Sequence, residues 1–338
     1  SAGTIVNSKA VVYGSSGEVN ATTLQIGGTS VTSTAAELNI MDGVTSSAAE
    51  LNLLDGVTGL ASSVNGLSDG LIEDYSMYIG NDPSSTTSTA QYNVAVGTTA
   101  LDAVTTGDGS VAIGYDALTA NTTGGYNVAI GNDAMGDNTT GGYSTAVGWR
   151  VLGKQTTGGN NTGLGSTALR NTTTGTSNTA IGTVTLMNNI TGGYNTALGE
   201  GALNASTTAD RNTATGFRSL YIATGGGNTA LGSNSGDNLT TGTNNTLLGY
   251  VSDASSVSGT NQIAIGYNAT GHGDNITVIG NTDMTAWHPA DDNGVDLGSS
   301  SYEFKDLYVD GIAYVDGLDL NGTTVSATGA ELNIMDGV

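Results

Sequence analysis

The chain is poor in chemistry-bearing groups. It has no cysteine and two histidines, His272 and His288, which are too few and too far apart to suggest a metal pair. Serine is plentiful, but no nucleophile elbow frames one. The adjacent carboxylates Asp291 and Asp292 fall in a loop-like stretch. Glycine spacings that mimic phosphate loops arise from glycine content alone and open no helix. We therefore expect no enzyme activity, no catalytic residue, no metal site and no cofactor. Aromatic and basic side chains are better placed. Tyr92, Tyr126, Tyr143 and Tyr194 share one place in a repeat, and Tyr115, Trp149, Phe217, Tyr250 and Tyr267 share another. Exposed aromatic rows can stack on sugar rings, making Tyr126, Tyr143, Trp149 and Tyr194 candidate glycan contacts. The same rings can equally stack on one another along the repeats. Five of the seven Lys and Arg (Arg150, Lys154, Arg170, Arg211, Arg218) fall within 150–218. They suit either an acidic host polymer or neighbouring carboxylates. The Asn-x-Thr sequons at Asn121, Asn138 and Asn171 arise from the repeat, where Asn and Thr also serve as turn and ladder hydrogen-bonding groups.

Composition narrows the partners. Seven Lys+Arg against 30 Asp+Glu leave a formal charge of −23 over 338 residues. Nucleic-acid affinity comes mainly from basic side chains, so a phosphate-backbone binder is excluded, and docking on an anionic membrane is disfavoured. No run approaches the roughly 18 apolar residues of a membrane span. Disorder favours high charge and low hydrophobicity. Here only 11% of residues are charged and 37% are hydrophobic, at fixed spacing.

That spacing organises the chain. A unit of the form N-T-A-(Ile/Val/Leu)-Gly recurs, with its glycine at Gly80, Gly97, Gly114, Gly131, Gly148, Gly165, Gly182, Gly199, Gly216, Gly232, Gly249, Gly266 and Gly280. Ten of the twelve intervals are 17 residues; Gly216 to Gly232 is 16 and Gly266 to Gly280 is 14. Residues 127–143, NVAIGNDAMGDNTTGGY, show almost the whole consensus. Two or three glycines per repeat exclude helix. Alternation around the strand-like unit, an Ala-Leu step three residues later and Thr-Thr-Gly-Gly turns predict an all-β coil of strand, turn, strand, turn, with turn glycines supplying positive φ. Such coils stack in parallel into a β-solenoid, or β-roll. Twelve steps at about 4.8 Å make a rod of about 58 Å. Each coil offers few apolar groups, so packing of several chains about one axis is expected to supply further burial.

The flanks carry another motif: AELNIMDGV at 36–44 and 330–338, and AELNLLDGV at 49–57. Capping boxes (Thr34 with Glu37, Ser47 with Glu50) and terminal Gly43 and Gly56 predict short helical collars. Leu38 with Met41, and Leu51 with Leu54, give each helix an apolar face. Residues 24–44 and 318–338 align without a gap, and the chain stops in mid-motif, so we expect a segment of a longer polypeptide. Residues 292–320 alternate like short hairpins. The expected organisation is a β shaft module (1–33), short-helix collars (34–75), the 17-residue β-roll (76–282), a small β-hairpin module (283–320) and the start of another collar (321–338).

On these motifs the chain resembles phage tail-fibre proteins. AELNIMDGV preceded by GT-x-V-x-x-T is similar to shaft repeats of fibres from phages of aquatic bacteria, cyanobacteria among them. VDLGSSSYEFKDLYVDG (295–311) is similar to a segment upstream of self-cleaving fibre chaperones. The S-V-A-I-G at 110–114 is similar to the head β-roll of trimeric autotransporter adhesins, although coils of 17 exceed the usual length there. The resemblance implies a left-handed, homotrimeric roll in a virion tail fibre or other extracellular filament. It would hold or present a host-surface receptor-binding region, with itself, other fibre or virion proteins and a host cell-surface glycan as partners, and without nucleic acid or membrane insertion. A bacterial surface adhesin and a polysaccharide-degrading tail spike are the rival readings.

Overall fold

A computed structural model describes residues 25–26, 29–30, 70–80, 83, 86–291, 294–313, 315, 318–320 and 323–326. The described chain is all-β. Its main element is a 14-stranded sheet in which neighbours in sequence are neighbours in space. The sheet opens with an antiparallel hairpin, Gly70–Glu73 against Ser76–Ile79. From Ser76–Ile79 onward every pairing is parallel, ending at Thr277–Ile279. The strands are three residues long after the hairpin, for example Val111–Ile113, Val128–Ile130 and Thr145–Val147. Register follows the repeat: Ala112 pairs with Ala129, and Ala129 with Ala146. This is the parallel β-solenoid expected of the 17-residue period. Two further hairpins stand outside it, Gln25–Ile26 with Thr29–Ser30 and Asp319–Leu320 with Thr323–Thr324. The collar residues Glu37, Leu38, Met41, Gly43, Glu50, Leu51, Leu54 and Gly56, and the copy at 330–338, lie outside the described residues.

The coil differs from expectation in two ways. It holds one strand, not two: the Ala-Leu step is a turn. Leu118, Met135, Leu152 and Leu169 sit in the left-handed region with φ of 52–54°. That conformation costs about 1–2 kcal/mol for a non-glycine residue. Complete burial of the side chain, worth about 1.5–3 kcal/mol, offsets it. A turn pulls both Ala and Leu inward, whereas a strand would send them to opposite faces. The second difference concerns the Thr-Thr-Gly-Gly glycines, which do not supply positive φ. Gly124 and Gly141 are there for closeness. A Cβ on Gly124 would enter the carbonyl oxygen of Gly141 one coil on. Left-handed backbone falls instead on the strand-end glycines, on the Leu of each Ala-Leu step, and on Tyr92, Tyr126, Tyr143 and Tyr194.

The core is one narrow column of strand alanines, Ala-Leu pairs and amides. Where one element changes volume, another compensates. Val151 replaces the alanine of the Ala-Leu step, and the strand residue above it is Gly163, whose Cβ would enter the Val151 side chain. Ser235-Gly236 replaces Ala-Leu, and Leu247 replaces the strand alanine. A Cβ on Gly236 would lie 2.6 Å from Leu220 Cδ2 and 3.1 Å from Leu247 Cδ1. The leucine has moved from turn to strand at nearly constant volume, the kind of exchange that cores tolerate best.

Asparagines hold adjacent coils in register. Asn93, Asn127, Asn161, Asn178, Asn195, Asn212, Asn228 and Asn245 are buried in one column. Each Oδ1 accepts the backbone N–H of the next coil's residue in that column, as from Asn195 to Asn178 (3.0 Å) and Asn212 to Asn195 (2.9 Å). Each Nδ2 donates to a turn carbonyl, such as Asn127 to Gly141 (2.8 Å) and Asn195 to Ala209 (2.8 Å). Every ladder level thus satisfies groups that would otherwise be orphaned inside. Asn121 and Asn138 form a second buried amide column, donating to Gly124 (2.9 Å) and Gly141 (3.0 Å). Their burial leaves those two sequons no room for a glycan in the folded coil.

Candidate binding groove along the coil stack

Of the expected glycan contacts, the structure brings together Tyr126 and Tyr143. Their rings stack at 5.1 Å and 16° and remain largely exposed. Tyr75 with Tyr92 stack similarly in the same column, and Tyr250 with Tyr267 in the strand-end column. Gly109 interrupts the tyrosine column because the Tyr126 ring overlies it; a Cβ there would be 2.9 Å from Tyr126 Cδ1. Trp149 belongs to the strand-end column, away from Tyr126 and Tyr143, with Arg150 over its ring at 5.1 Å. Tyr194 continues the tyrosine column three coils beyond Tyr143, under Arg211 at 5.7 Å.

Tyr126 and Tyr143 wall a groove of about 520 Å³ that runs along the stack across several coils. Exposed Thr106, Thr123, Thr140 and Thr157 form the opposite wall, and Gly125, Gly142 and Gly159 the floor. The walls are columns because equivalent residues of successive coils lie one above another. The floor is bare backbone because a Cβ on Gly142 would lie 2.9 Å from the Gly125 carbonyl oxygen. Spacing in the sequence marked the aromatic wall; the threonine wall and the floor are legible only once the turn is folded.

Comparison with protein-family models, curated proteins and solved structures gives no match. The groove and the coil surface must therefore be read on their own chemistry.

The basic cluster does not converge on the groove. Arg150 Nε lies 2.9 Å from Asp133 Oδ2, and Lys154 Nζ donates to Asp137 Oδ2 at 2.9 Å, each joining adjacent coils. These exposed pairs contribute about 0–1 kcal/mol each. Arg218 covers Tyr221 at 4.6 Å and Phe217 at 5.6 Å. The repeat glycines Gly97, Gly114, Gly131, Gly148, Gly165, Gly182, Gly199, Gly216, Gly232 and Gly249 end successive strands and stack one on the next. Among the described residues no three His, Cys, Asp or Glu side chains gather as metal ligands, and no helix is long and apolar enough to cross a membrane.

Away from the groove, Asp253 is a carboxyl held above its ordinary range. Burial pushes Asp253 above the usual carboxylate range, and the charge of Asp237 adds to this against hydrogen bonds from backbone N–H groups. A raised folded-state pKa means that the folded chain holds the proton more tightly than the unfolded one. The associated stability is full below the unfolded pKa and is lost as pH rises through the folded value. Asp253→Asn keeps an acceptor for the Asn238 N–H (3.2 Å in the native chain) and removes the charge. Thermal melts should show Asp253→Asn more stable than the native protein at pH 7, with the gain shrinking at pH 3. An equal gain at both pH values would contradict the assignment.

Proposed function

We propose that this chain is a segment of a homotrimeric, left-handed β-roll fibre, a phage tail fibre that holds or presents a host-surface binding region. The observation that carries the reading is the outer face of the sheet. Each strand turns its alanine inward and its first and third residues outward. Val96, Ile113, Ile130, Leu164, Leu198 and Leu231, 36–53% accessible, together with half-buried Val147, Ile181, Leu248 and Ile265, consequently form a mostly aliphatic row along the stack, interrupted at Thr215. Long apolar surfaces are uncommon on monomers and mark association sites. Three copies meeting on this face would add the burial that a column of alanines cannot provide. At −23 per chain, charge attraction would not bring copies together; apolar contact can.

The segment beyond the coils supports the same reading. Every described residue from 282 to 313 except Gly298 is exposed, including Trp287, Leu297, Phe304, Leu307, Tyr308 and Ile312. One copy alone provides no core for them, whereas symmetry-related copies would. The mechanism is mechanical: coils locked to their neighbours make a stiff rod.

Light scattering after size exclusion tests this directly. The expected mass is about three times 33.5 kDa with an elongated profile. Replacing Ile113 and Ile130 together by Lys should lower that mass to the single-chain value while far-UV circular dichroism keeps its β signature. A native mass of one chain would overturn the shared axis.

A further inference from the structure

The groove floor carries a row of open hydrogen-bond donors. In the column that precedes Tyr92, Tyr126, Tyr143 and Tyr194, the backbone N–H faces the next coil. At three levels a carboxylate from the next coil occupies it: Gln91 N–H donates to Asp108 Oδ1 (2.8 Å), Gly193 to Asp210 Oδ1 (2.7 Å) and Thr260 to Asp274 Oδ1 (2.7 Å). Between the first two levels no such carboxylate follows. The N–H groups of Asp108, Gly125, Gly142, Gly159 and Thr176 have no acceptor among the described residues. All five residues are half-buried and line the groove. Backbone donors left without protein partners need an acceptor from outside.

We infer that these five donors bind a linear, uncharged polysaccharide lying along the rod, one sugar unit to each coil. The donors repeat at the coil rise of about 4.8 Å. A single small molecule would meet one or two of them. An extended peptide, advancing about 3.3 Å per residue, falls out of step within two coils. A chain of pyranose rings linked through opposite corners advances by close to one coil per ring. Ring and hydroxyl oxygens of successive units take the positions that Asp108, Asp210 and Asp274 fill at their own levels. Hydroxyls of Thr123 and Thr140 meet the sugar's edge, and the Tyr126 and Tyr143 rings offer apolar surface to its C–H face. A net charge of −23, with the Asp108 carboxylate on the groove, selects against anionic polymers. The inference gives the fibre reading a ligand class. It is separable from that reading, because one chain builds the whole groove.

Affinity electrophoresis of the full chain through gels containing hydroxyethyl cellulose, mannan or galactomannan tests it, with alginate as the anionic comparator. The expected result is retardation by at least one neutral polymer and none by alginate. Thr176→Asp, which adds no Cβ to the floor, puts a carboxylate on the Gly159 N–H, as Asp210 does for Gly193, and should weaken retardation at least tenfold. Tyr143→Ala should weaken it without touching the floor. Light scattering and circular dichroism on the same samples report trimer and fold separately. No retardation by any neutral polymer, retardation by alginate, or unchanged retardation in both correctly folded variants would overturn the inference.

Discussion

Gly131→Ala should break the stack at one level. Gly131 ends the strand Val128–Ile130 with φ of 134°, a conformation that L side chains rarely adopt. A Cβ there would enter the carbonyl oxygen of Gly148 and lie 2.7 Å from its carbonyl carbon. The obstacle is backbone, itself locked to the next coil, so no side chain can swing aside. Strain and clash together put the cost above about 4 kcal/mol, in the range reached only by named disruptions. Thermal melts and limited proteolysis should show a large loss of stability, with cleavage near coils 131–148. Gly153→Ala is the control. Gly153 lacks positive φ, and its nearest would-be contact is 3.3 Å away, so the cost should stay within about 1 kcal/mol. Equal effects from the two substitutions would mean that close stacking of strand-end glycines does not limit stability.

Asn195→Ala should be nearly as damaging for a different reason. Asn195 Oδ1 is the acceptor for the Asn212 N–H, and its Nδ2 serves the Ala209 carbonyl. Alanine leaves both groups buried and unpaired. At about 1–3 kcal/mol each, the expected loss is about 4 kcal/mol. Asn195→Ser should recover roughly half. Serine already stands in this column at Ser110 and Ser144, whose Oγ atoms accept the next coil's N–H at 3.2 Å. Urea denaturation of the two variants separates a hydrogen-bond ladder from mere packing. Under packing alone, Ser and Ala would cost the same.

These two substitutions show how far the repeat can be read without coordinates. The position of Gly131 in the consensus marks it as a strand end. The asparagine heading each N-T-A unit reads only as a ladder or turn residue. Its service to two specific backbone groups, one in the next coil, needs the stack. Likewise Val151 and Gly163 look like two separate lapses from consensus until the interior shows one filling the other's space. The aromatic places were legible because they recur with the period. That Tyr126 and Tyr143 share a groove while Trp149 stands in another column was not, because spacing within the repeat does not fix the direction in which each column faces.

The sequence by itself determined the period, the all-β character, the parallel stacking and the glycine at each strand end. A fixed period with glycines in every unit leaves few other ways to bury a thin apolar row. Tertiary structure alone decided that the Ala-Leu step is a left-handed turn, that the paired glycines serve closeness rather than positive φ, and that five floor donors stay open. The reason is physical: a backbone group's partner in this fold lies one coil away. Whether a bond forms depends on the neighbour's side chain and turn geometry, which only stacking brings into contact.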